Sequence, residues 1–413
     1  MKNTPWICCQ LGAREHYAIP RALHQVNQLK VLLTDAWVNP RSLAYSFPNP
    51  LLKRLQERFH PDLANASVQA FTPSLVQFEI IQRIHKLGAW EHMIARNHWF
   101  QTHALQHLKQ ISAQFSKTGE RPVLLAYSYA ALELLHYAKQ QGWYTVLAQI
   151  DPGILEEKIV QEEYSRSPDL APTWQPTPTT YWENWQKECH LADCIAVNSD
   201  WSKQLLIQAG IEADKIQIIP LVYEPPAEAA QFTRICPDAF SADRPLKVLF
   251  LGLVTLRKGI AAVLDAIRLL EGKPIEFWFV GSQQITIPQE FQNHPQIRWV
   301  GAVPRSETAQ YYQSADVFLF PTLSDGFGLT QLEAQAWKLP IVASQFCGDV
   351  VTEGVNGWRL PEVAGRAIAD RLLSLLEYPE QLKKISENSV IQSDFSFHNL
   401  SENLQKLSLT LAF

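Results

Sequence analysis

Two glycines and two carboxylates follow a strand-like stretch near residue 320, in the segment 321–334 (PTLSDGFGLTQLEA). Gly326 and Gly328 let the backbone approach a ligand closely, and a helix beginning just after them would present free N–H groups to a diphosphate. Asp325 lies in the loop and Glu333 about one turn into the helix, where carboxylates can accept hydrogen bonds from sugar or ribose hydroxyls. The alternative is an ordinary strand–helix turn, with Glu333 favoured by the helix dipole.

A second candidate site, residues 252–259 (GLVTLRKG), also joins a strand-like stretch to a helical one. Arg257 and Lys258 are neighbours in it. The guanidinium offers a planar fork of donors and the ammonium a point charge, and both can neutralise a leaving diphosphate. The alternative is a solvated basic turn. Because both segments are expected at the same edge of one sheet, together they favour a site for a diphosphate and a sugar.

The elements that must position these residues alternate between strand-like and helical patterns, which predicts parallel sheets covered by helices. Strands are predicted at 6–11, 30–37, 122–128, 144–150, 194–199 and 215–220, and again at 247–254, 275–281, 297–303, 316–322 and 340–346. Two doubly wound α/β domains would place ligands at the carboxyl ends of both sheets, in the cleft between them.

The same alternation suggests the domain boundaries. We predict an N-terminal domain over 1–222, with a mainly helical insertion at about 50–115. A Pro- and Ala-rich linker at 223–245 carries no periodic pattern. The C-terminal domain is predicted over 246–385, and a helical segment over 386–413 is expected to pack back toward the N-terminal domain.

The composition excludes several classes of protein. Of 413 residues, 46% are hydrophobic and 19% charged, so the chain can build large cores. The formal net charge of −5 has the wrong sign for a general nucleic-acid binder. Six cysteines are scattered without a CxxC pair, as is typical of a reducing compartment. No apolar run suits a signal peptide or a membrane span. We therefore expect a cytoplasmic protein without a nucleic-acid partner.

Positive charge is concentrated at the start of the chain, where residues 1–110 carry 12 Lys and Arg but 6 Asp and Glu. This excess indicates an anionic partner, or simply solvated helices. Residues 51–59 (LLKRLQERF) combine an apolar stripe with basic neighbours: Leu51, Leu52, Leu55 and Phe59 beside Lys53, Arg54 and Arg58. Such a segment suits an anionic membrane surface, which would make the protein peripheral on a membrane. The alternative is that it packs onto its own domain.

Three histidines, His98, His103 and His107, lie close together in the sequence. The i, i+4 spacing of His103 and His107 is one with which a helix can hold a metal ion. A solvated helix face accounts for the same pattern, and no metal site is predicted.

The motifs of the second half resemble those of the retaining glycosyltransferases of family 4, the group 1 glycosyl transferases of GT-B fold. The likeness runs through LGLVTLRKGIAAVLDAI, FVGS, WVGAVPRSETAQYYQSADVFLFPTLSDGFGLTQLEAQAWKLPIVAS and DVVTEGVNGWRL. It continues more weakly through ADCIAVNSDWSKQLLIQAGIEADKIQIIPL. It covers residues 188–378, and the first 150 residues only in outline. The resemblance implies a GT-B fold, in which two Rossmann-like domains face each other across a cleft.

The resemblance also implies roles for single residues. The paired acidic motif of the family, Glu-x7-Glu, stands here as Asp325-x7-Glu333. Asp325 would contact the hydroxyls of the donor sugar, and Glu333 the ribose of the nucleotide. Lys258 matches the diphosphate lysine and joins Asp325 among the expected catalytic residues. The other expected donor contacts are Gly252, Arg257, Gly281, Gly326, Phe327, Gly328 and Leu329.

This chain departs from the family pattern at several positions. Leu253 replaces the usual arginine, so the guanidinium must come from Arg257 or be absent. Asp325 is one methylene shorter than the family's glutamate, which can alter the sugar that fits. Asp151 follows a strand where relatives often carry a histidine, and it would lie near the anomeric carbon as a third catalytic residue. There it would orient an acceptor hydroxyl or stabilise an oxocarbenium-like transition state; the alternative is a turn former before Pro-Gly.

On the acceptor side, the N-terminal loop that is often a double glycine in relatives reads Gly12-Ala13. Arg14 and His16 follow and are expected to start the first helix. They would line the acceptor side of the cleft, or serve only as a helix cap or surface.

By resemblance, the protein would transfer a hexose-type sugar from a nucleotide diphosphate to an acceptor hydroxyl, with retention and without metal or cofactor. The C-terminal domain would hold the nucleotide sugar, and the N-terminal domain a saccharide, lipid or small-metabolite acceptor. Two alternatives stay open. One is an epimerase or hydrolase of the same fold. The other is a non-catalytic nucleotide-sugar-binding protein, with which the departures at Leu253 and Asp325 are compatible.

Overall fold

Two parallel sheets underlie the two halves of the chain, of which the computed structural model describes residues 4–40 and 58–412. The strands of the first half are β1 Trp6–Gln10, β2 Leu29–Thr34, β3 Val68–Ala70, β4 Val123–Tyr127, β5 Tyr144–Ala148, β6 Cys194–Val197 and β7 Ile216–Ile218. Those of the second half are β8 Leu246–Leu251, β9 Ile275–Val280, β10 Ile297–Gly301, β11 Val317–Phe320, β12 Ile341–Ala343 and β13 Gly357–Arg359. Neighbouring strands in both sheets run parallel.

Helices connect and cover these strands. In the first half they are α1 Ala18–Gln25, α2 Thr72–His85, α3 Ala89–Thr118, α4 Leu132–Gln140, α5 Ile154–Arg166, α6 Thr179–Leu191 and α7 Asp200–Gln208. In the second half they are α8 Ala227–Gln231, α9 Ile260–Leu269, α10 Gln289–Gln292, α11 Thr308–Ser314, α12 Thr330–Ala336, α13 Gly365–Glu377, α14 Glu380–Asn388 and α15 Phe397–Ala412.

Each sheet is doubly wound, with the orders β3-β2-β1-β4-β5-β6-β7 and β10-β9-β8-β11-β12-β13. The central strands are apolar on both faces because helices cover both sides. In β1, Ile7 and Cys9 face one core while Trp6 and Cys8 face the other. The strand order reverses between β1 and β4 and between β8 and β11, where such folds bind ligands at the carboxyl ends of the strands. The predicted class of two doubly wound α/β domains is confirmed.

The short strands β3 and β13 were not predicted from the sequence. Each has three residues and lies at the edge of its sheet, so neither carries the long apolar run of a central strand. The insertion at about 50–115 was expected to be mainly helical. In its described part it supplies α2, most of α3, and also β3, which pairs with β2.

The first helix begins later than expected. Arg14 and His16 lie in a single 3-10 turn, Arg14–Tyr17, and α1 starts at Ala18. Glu15, His16 and Tyr17 have φ angles of 51°, 52° and 58°, which a right-handed helix cannot accommodate. The expectation that Arg14 starts a helix is therefore wrong, because the apolar pattern of α1 does not report the backbone turn before it.

Arg234 fastens the stretch 223–245 to the second domain. Its buried guanidinium donates to the carbonyl oxygens of Tyr312 and Trp337 over 2.7 and 2.8 Å. These oxygens belong to helix ends, which leave carbonyls without partners. The stretch also contains the short helix α8, so it is not wholly irregular.

The last helix, α15, returns to the first domain. Leu400, Leu404 and Leu407 form its buried stripe and pack in the same core as Trp6. Trp6 Nε1 donates to Ser408 Oγ over 3.0 Å. Among the described helices, none combines the length and the apolar character needed to cross a bilayer.

Candidate active site

The two basic residues predicted to bind a diphosphate lie in a 3-10 turn, Leu256–Lys258, just after β8. Lys258 Nζ donates to Asp325 Oδ2. Arg257 Nη1 donates to the carbonyl oxygen of Ser324 over 2.9 Å and lies 3.9 Å from Asp325 Oδ2. The two candidate segments of the sequence therefore meet at the reversal point between β8 and β11.

Gly259 holds these two loops together. Its φ is +77°, and a Cβ on it would lie 1.9 Å from the carbonyl oxygen of Pro321. A side chain of any size at this position would push the loop of Asp325 away from that of Lys258. The glycine after the basic pair is thus required by the close approach of two backbones.

Lys258 and Asp325 form a buried ion pair. Burial lowers the pKa of Lys258, although the neighbouring carboxylate of Asp325 opposes that shift. Burial alone would raise the pKa of Asp325, but Lys258 and Arg257 outweigh it and hold that pKa below its ordinary value. Because Asp325 occupies the ammonium group, a bound diphosphate would compete with this carboxylate for Lys258.

The glycine-rich loop contributes backbone rather than side chains. Phe327 is 2% exposed and its side chain packs in the core. Its expected contact with the nucleotide sugar would therefore come from its backbone. A Cβ on Gly328 would lie 2.5 Å from the ring of Phe320, and one on Gly281 would lie 1.8 Å from the carbonyl oxygen of Gly252. These glycines allow close packing around the site. Helix α12 begins at Thr330, with Leu329 as its N-cap.

Glu333 is held by two neighbours on the same domain. Tyr312 donates its hydroxyl to Glu333 Oε2 over 2.8 Å. Arg305 Nη2 lies 3.6 Å from Glu333 Oε1, and its Nη1 lies 3.0 Å from His16 Nδ1. Arg305 therefore links the predicted ribose carboxylate to a predicted acceptor-side residue of the other domain. Nothing in the sequence near Arg305 indicated this role.

Asp151 lies just after β5 in a preformed network. Its Oδ1 accepts hydrogen bonds from the hydroxyl of Tyr129, from Gln149 Nε2 over 3.0 Å and from the N–H of Gly153 over 2.9 Å. Trp185 Nε1 in turn donates to Gln149 Oε1 over 2.9 Å. Burial raises the pKa of Asp151, which these donors partly offset. The sequence did not indicate the partners of Asp151.

The two domains touch beside Asp151. A Cβ on Gly326 would lie 2.1 Å from the carbonyl oxygen of Ile150, so only glycine fits there. Trp201 Nε1 donates to Ser324 Oγ over 3.0 Å. The loop of Asp325 in one domain is thus held against the loop of Asp151 in the other, and three expected catalytic residues meet at one interface.

Glu156 lies in the first turn of helix α5, just after the loop of Asp151, and it was not among the predicted residues. Its Oε1 lies 3.7 Å from Arg257 Nη1 across the interface. Burial raises the pKa of Glu156 to about 8, against the opposing influence of Arg257. A carboxylate in the first turn of a helix that follows a site loop was the signal available in the sequence.

The predicted acceptor-side residues Gly12, Arg14 and His16 line an open cavity of about 960 Å³. Arg58, Arg96 and Arg305 complete its charged lining. Arg58 was predicted to face a membrane, but its Nη1 lies 3.4 Å from Asp35 Oδ1. Phe59 of the same stripe packs against Trp37, with ring centroids 5.1 Å apart. The rest of that stripe, with Lys53 and Arg54, lies outside the described residues.

Of the three histidines noted in the sequence, His103 takes part in packing on helix α3. His103 shares a hydrogen bond of 2.7 Å with Ser74 Oγ and another of 2.9 Å with the carbonyl oxygen of Trp99. Within the described ranges, no three His, Cys, Asp or Glu side chains are grouped so as to hold a metal ion.

The second half of the chain matches a known family. Residues 245–378 match the model described as Glycosyl transferases group 1. The chain is 27% identical over 235 residues to the amylovoran biosynthesis glycosyltransferase AmsK of Erwinia amylovora, covering 52% of this chain and 56% of that protein. It is 24% identical over 248 residues to the putative colanic acid biosynthesis glycosyltransferase WcaL of Escherichia coli K12, covering 55% and 59%. The aligned part spans about half the length of these curated relatives.

Solved structures match over nearly the whole chain. The structure of HepE from Anabaena in complex with UDP has a TM-score of 0.60 and 13% identity, covering 99% of this chain and all of that one. Sucrose-phosphate synthase from Thermosynechococcus elongatus has a TM-score of 0.63 and 18% identity, covering 99% of each. The predicted GT-B fold is confirmed, and the family match supports the resemblance over the C-terminal domain.

Proposed function

We propose that this protein is a glycosyltransferase that moves a hexose-type sugar from a nucleotide diphosphate to an acceptor hydroxyl in polysaccharide, glycolipid or glycoside biosynthesis. The carrying observation is the meeting of Lys258, Arg257 and Asp325 with Asp151 at one interface between two doubly wound domains. The relatives named for amylovoran and colanic acid biosynthesis favour a polysaccharide pathway.

In the proposed donor site, Lys258 and Arg257 neutralise the diphosphate as the bond to the sugar breaks. Arg257 supplies the guanidinium that Leu253 cannot, since its Nη1 already lies 3.9 Å from Asp325 Oδ2. The diphosphate replaces Asp325 as the partner of Lys258, and Asp325 then accepts hydrogen bonds from sugar hydroxyls. Glu333, fixed by Tyr312, accepts them from the ribose.

The proposed transfer retains the anomeric configuration and uses no metal. The acceptor oxygen forms its bond to the anomeric carbon on the face from which the diphosphate leaves. The proton of the acceptor hydroxyl passes to the departing phosphate oxygen, so the protein need not supply a general base. Asp151, whose Oδ1 already accepts three hydrogen bonds, offers Oδ2 to orient the acceptor or to stabilise positive charge on the sugar.

UDP-glucose is the first donor to test, because UDP and UDP-glucose are bound in the HepE structures that share this fold. A thermal-shift screen of nucleotide sugars selects the best donor. UDP release is then measured with saccharide and lipid-linked acceptors, with and without EDTA, and NMR assigns the anomer of the product. We expect acceptor-dependent turnover, an α-linked product from an α-linked donor, and no effect of EDTA. Equal turnover without acceptor would indicate a hydrolase or epimerase, and binding without turnover a non-catalytic protein.

A second proposal concerns the location of the protein, which we place on an anionic membrane surface. Helix α2 exposes Val76, Ile80 and Ile84 at i, i+4 and i+8, with exposed fractions of 43%, 55% and 73%. Arg83 and Lys86 flank this row. An exposed apolar row with basic neighbours is typical of helices that lie on membranes. We call Val76, Ile80 and Ile84 the α2 ridge.

A further inference from the structure

In the described part of the chain, the ionised side chains that line the cavity beside Gly12 are all positive. Its ionised lining residues are Arg14, Arg58 and Arg96 from the N-terminal domain and Arg305 from the C-terminal domain, and within the described part of the chain no Asp or Glu lines it. Arg58 and Arg96 are mostly buried, with 24% and 27% of their side chains exposed. A cluster of arginines around a partly enclosed space attracts anions.

The arginines of the N-terminal domain are held in place by one buried carboxylate. Asp35 follows β2 and is fully buried. Its Oδ2 accepts from Arg96 Nη2 over 2.8 Å, and its Oδ1 lies 3.4 Å from Arg58 Nη1. Asp35 therefore anchors both guanidiniums, and Arg96 Nε also lies 3.8 Å from Oε1 of the partly exposed Glu79. Neither carboxylate lines the cavity. Gly12 permits this arrangement, because a Cβ on it would lie 2.8 Å from Arg58 Nη1.

The fourth arginine comes from across the cleft. Arg305 lies next to His16 Nδ1, which must accept its hydrogen bond and is therefore unprotonated. Burial and the charge of Arg305 lower the pKa of His16 to about 4. The histidine thus stays neutral at physiological pH, and the positive charge of the cavity resides on its arginines.

A neighbouring cavity of about 430 Å³ connects this cluster to the candidate catalytic residues. It shares Arg14 and Arg96 with the first cavity and is also lined by Asp151, Trp90 and Tyr181. Aromatic side chains and a carboxylate suit a sugar ring with a reactive hydroxyl. An acceptor that spans both cavities would keep its hydroxyl near Asp151 and a second group among the arginines.

We infer that the acceptor is an anionic saccharide, whose carboxylate or phosphate group binds among Arg14, Arg58, Arg96 and Arg305. This inference rests on the proposed function and names its acceptor class. The planar fork of a guanidinium matches the paired oxygens of a carboxylate or a phosphate. An anion adds charge-assisted hydrogen bonds to these arginines, which a neutral sugar cannot do.

The test compares three probes by isothermal titration with the UDP-loaded protein. Methyl α-glucuronide carries a carboxylate, glucose 1-phosphate carries a phosphate at the reducing end, and methyl α-glucoside is the neutral control. We expect at least one anion to bind about tenfold or more tightly than the glucoside, because its charged group forms charge-assisted hydrogen bonds that the glucoside cannot form. The probe that binds more tightly identifies the acceptor's anionic group as a carboxylate or a phosphate. Equal binding of all three probes would overturn the inference.

Variants locate the binding. Arg58→Gln and Arg96→Gln each remove one charge from the lining, and Arg83→Gln, exposed on helix α2, removes the same charge outside it. We expect the first two variants to bind the anion about tenfold more weakly than the wild type, and the control to bind it as the wild type does. UDP affinity should be unchanged in all three. An equal loss of UDP affinity would assign the cavity to the donor diphosphate instead and overturn the inference. Because the probes are titrated without turnover, failure of the transferase assay is a separate result.

Discussion

Glu156 Oε1 lies 3.7 Å from Arg257 Nη1, so this contact joins the helix that follows Asp151 to the basic loop of the other domain. The same guanidinium donates to the carbonyl oxygen of Ser324 over 2.9 Å. Arg257 therefore contacts Glu156 and, in the proposed donor loop, Ser324 and Asp325. We expect Arg257 to supply the guanidinium that the family resemblance implies at Leu253, which is 44% exposed.

The burial of Glu156 predicts a pH dependence of stability. Burial raises the pKa of Glu156 from 4.5 to about 8 in the folded protein. Between these values the folded state keeps a proton that the unfolded chain has released. The free energy of unfolding therefore falls as the pH rises through this window. Glu156→Gln resembles the protonated form, so we expect urea unfolding of this variant to depend less on pH between about 5 and 8.

The dependence should not vanish in that variant. Glu188 also has a raised pKa, about 7, because its burial outweighs three hydrogen bonds from backbone N–H groups. Its contribution has the same sign and remains. A Glu156→Gln protein whose unfolding free energy follows the wild-type pH profile would show that Glu156 is ionised throughout this range.

Lys258→Ala tests the donor site. We expect turnover to fall about 10²–10³-fold, as when one preorganised donor to a developing negative charge is removed. The variant should also melt at a lower temperature, since it leaves Asp325 buried without its ammonium partner. The double variant Lys258→Ala, Asp325→Asn should recover the melting temperature but not the activity. Near-normal turnover of Lys258→Ala would remove Lys258 from the mechanism.

Glu333→Gln tests the ribose assignment. The hydroxyl of Tyr312 fixes Glu333 Oε2, so Oε1 remains for ribose hydroxyls. Loss of the charge should weaken UDP binding by about 1–3 kcal/mol in calorimetry. Asp325→Asn should instead reduce turnover more than UDP affinity, because Asp325 is assigned to the sugar. If UDP binds equally to wild type and Glu333→Gln, Glu333 does not hold the ribose.

The parts that could be predicted from the sequence are those encoded locally. Central strands such as β4 and β8 are short, mostly apolar runs between helical patterns, so their places followed from composition. Lys258 and Asp325 could be named because each lies in a glycine-containing turn after such a strand. That the two form an ion pair required the sheet order, which puts β8 beside β11.

Contacts between distant positions could not be predicted. Asp35 meets Arg96, 61 residues away, and Arg305 meets His16, 289 residues away. A surface arginine and a ligand-site arginine look alike in a single sequence, since only the fold decides which carboxylate lies beside them. Arg58 shows the error that follows: it was grouped with a basic stripe, while the structure turns it toward Asp35.

Gly326→Ala separates donor binding from domain closure. A Cβ at this position would lie 2.1 Å from the carbonyl oxygen of Ile150, so the domains could not meet as they do here. We expect UDP affinity to stay within a few-fold of wild type and turnover to fall by at least about tenfold, the cost of losing a near-attack geometry. Gly88→Ala, at the N-cap of α3 and in ordinary contact with Glu91, is the control. Full turnover in Gly326→Ala would mean that this contact is not needed for transfer.

The α2 ridge predicts reversible membrane attachment. Vesicles rich in anionic lipid should sediment the wild type at low salt and release it near 0.5 M salt, where the Debye length is about 4 Å. Each basic residue near such a surface contributes about 1 kcal/mol, so Arg83 and Lys86 need the help of the apolar row. Ile80→Ser with Ile84→Ser should abolish sedimentation, while Leu409→Ser, which removes a leucine of α15 that is 44% exposed, should not. Replacing Lys53 and Arg54 by Gln measures how much the segment 51–59 contributes to membrane attachment. Sedimentation that survives the α2 substitutions but not the Lys53 and Arg54 substitutions would move the contact to that segment, and no sedimentation of the wild type would refute a membrane contact altogether.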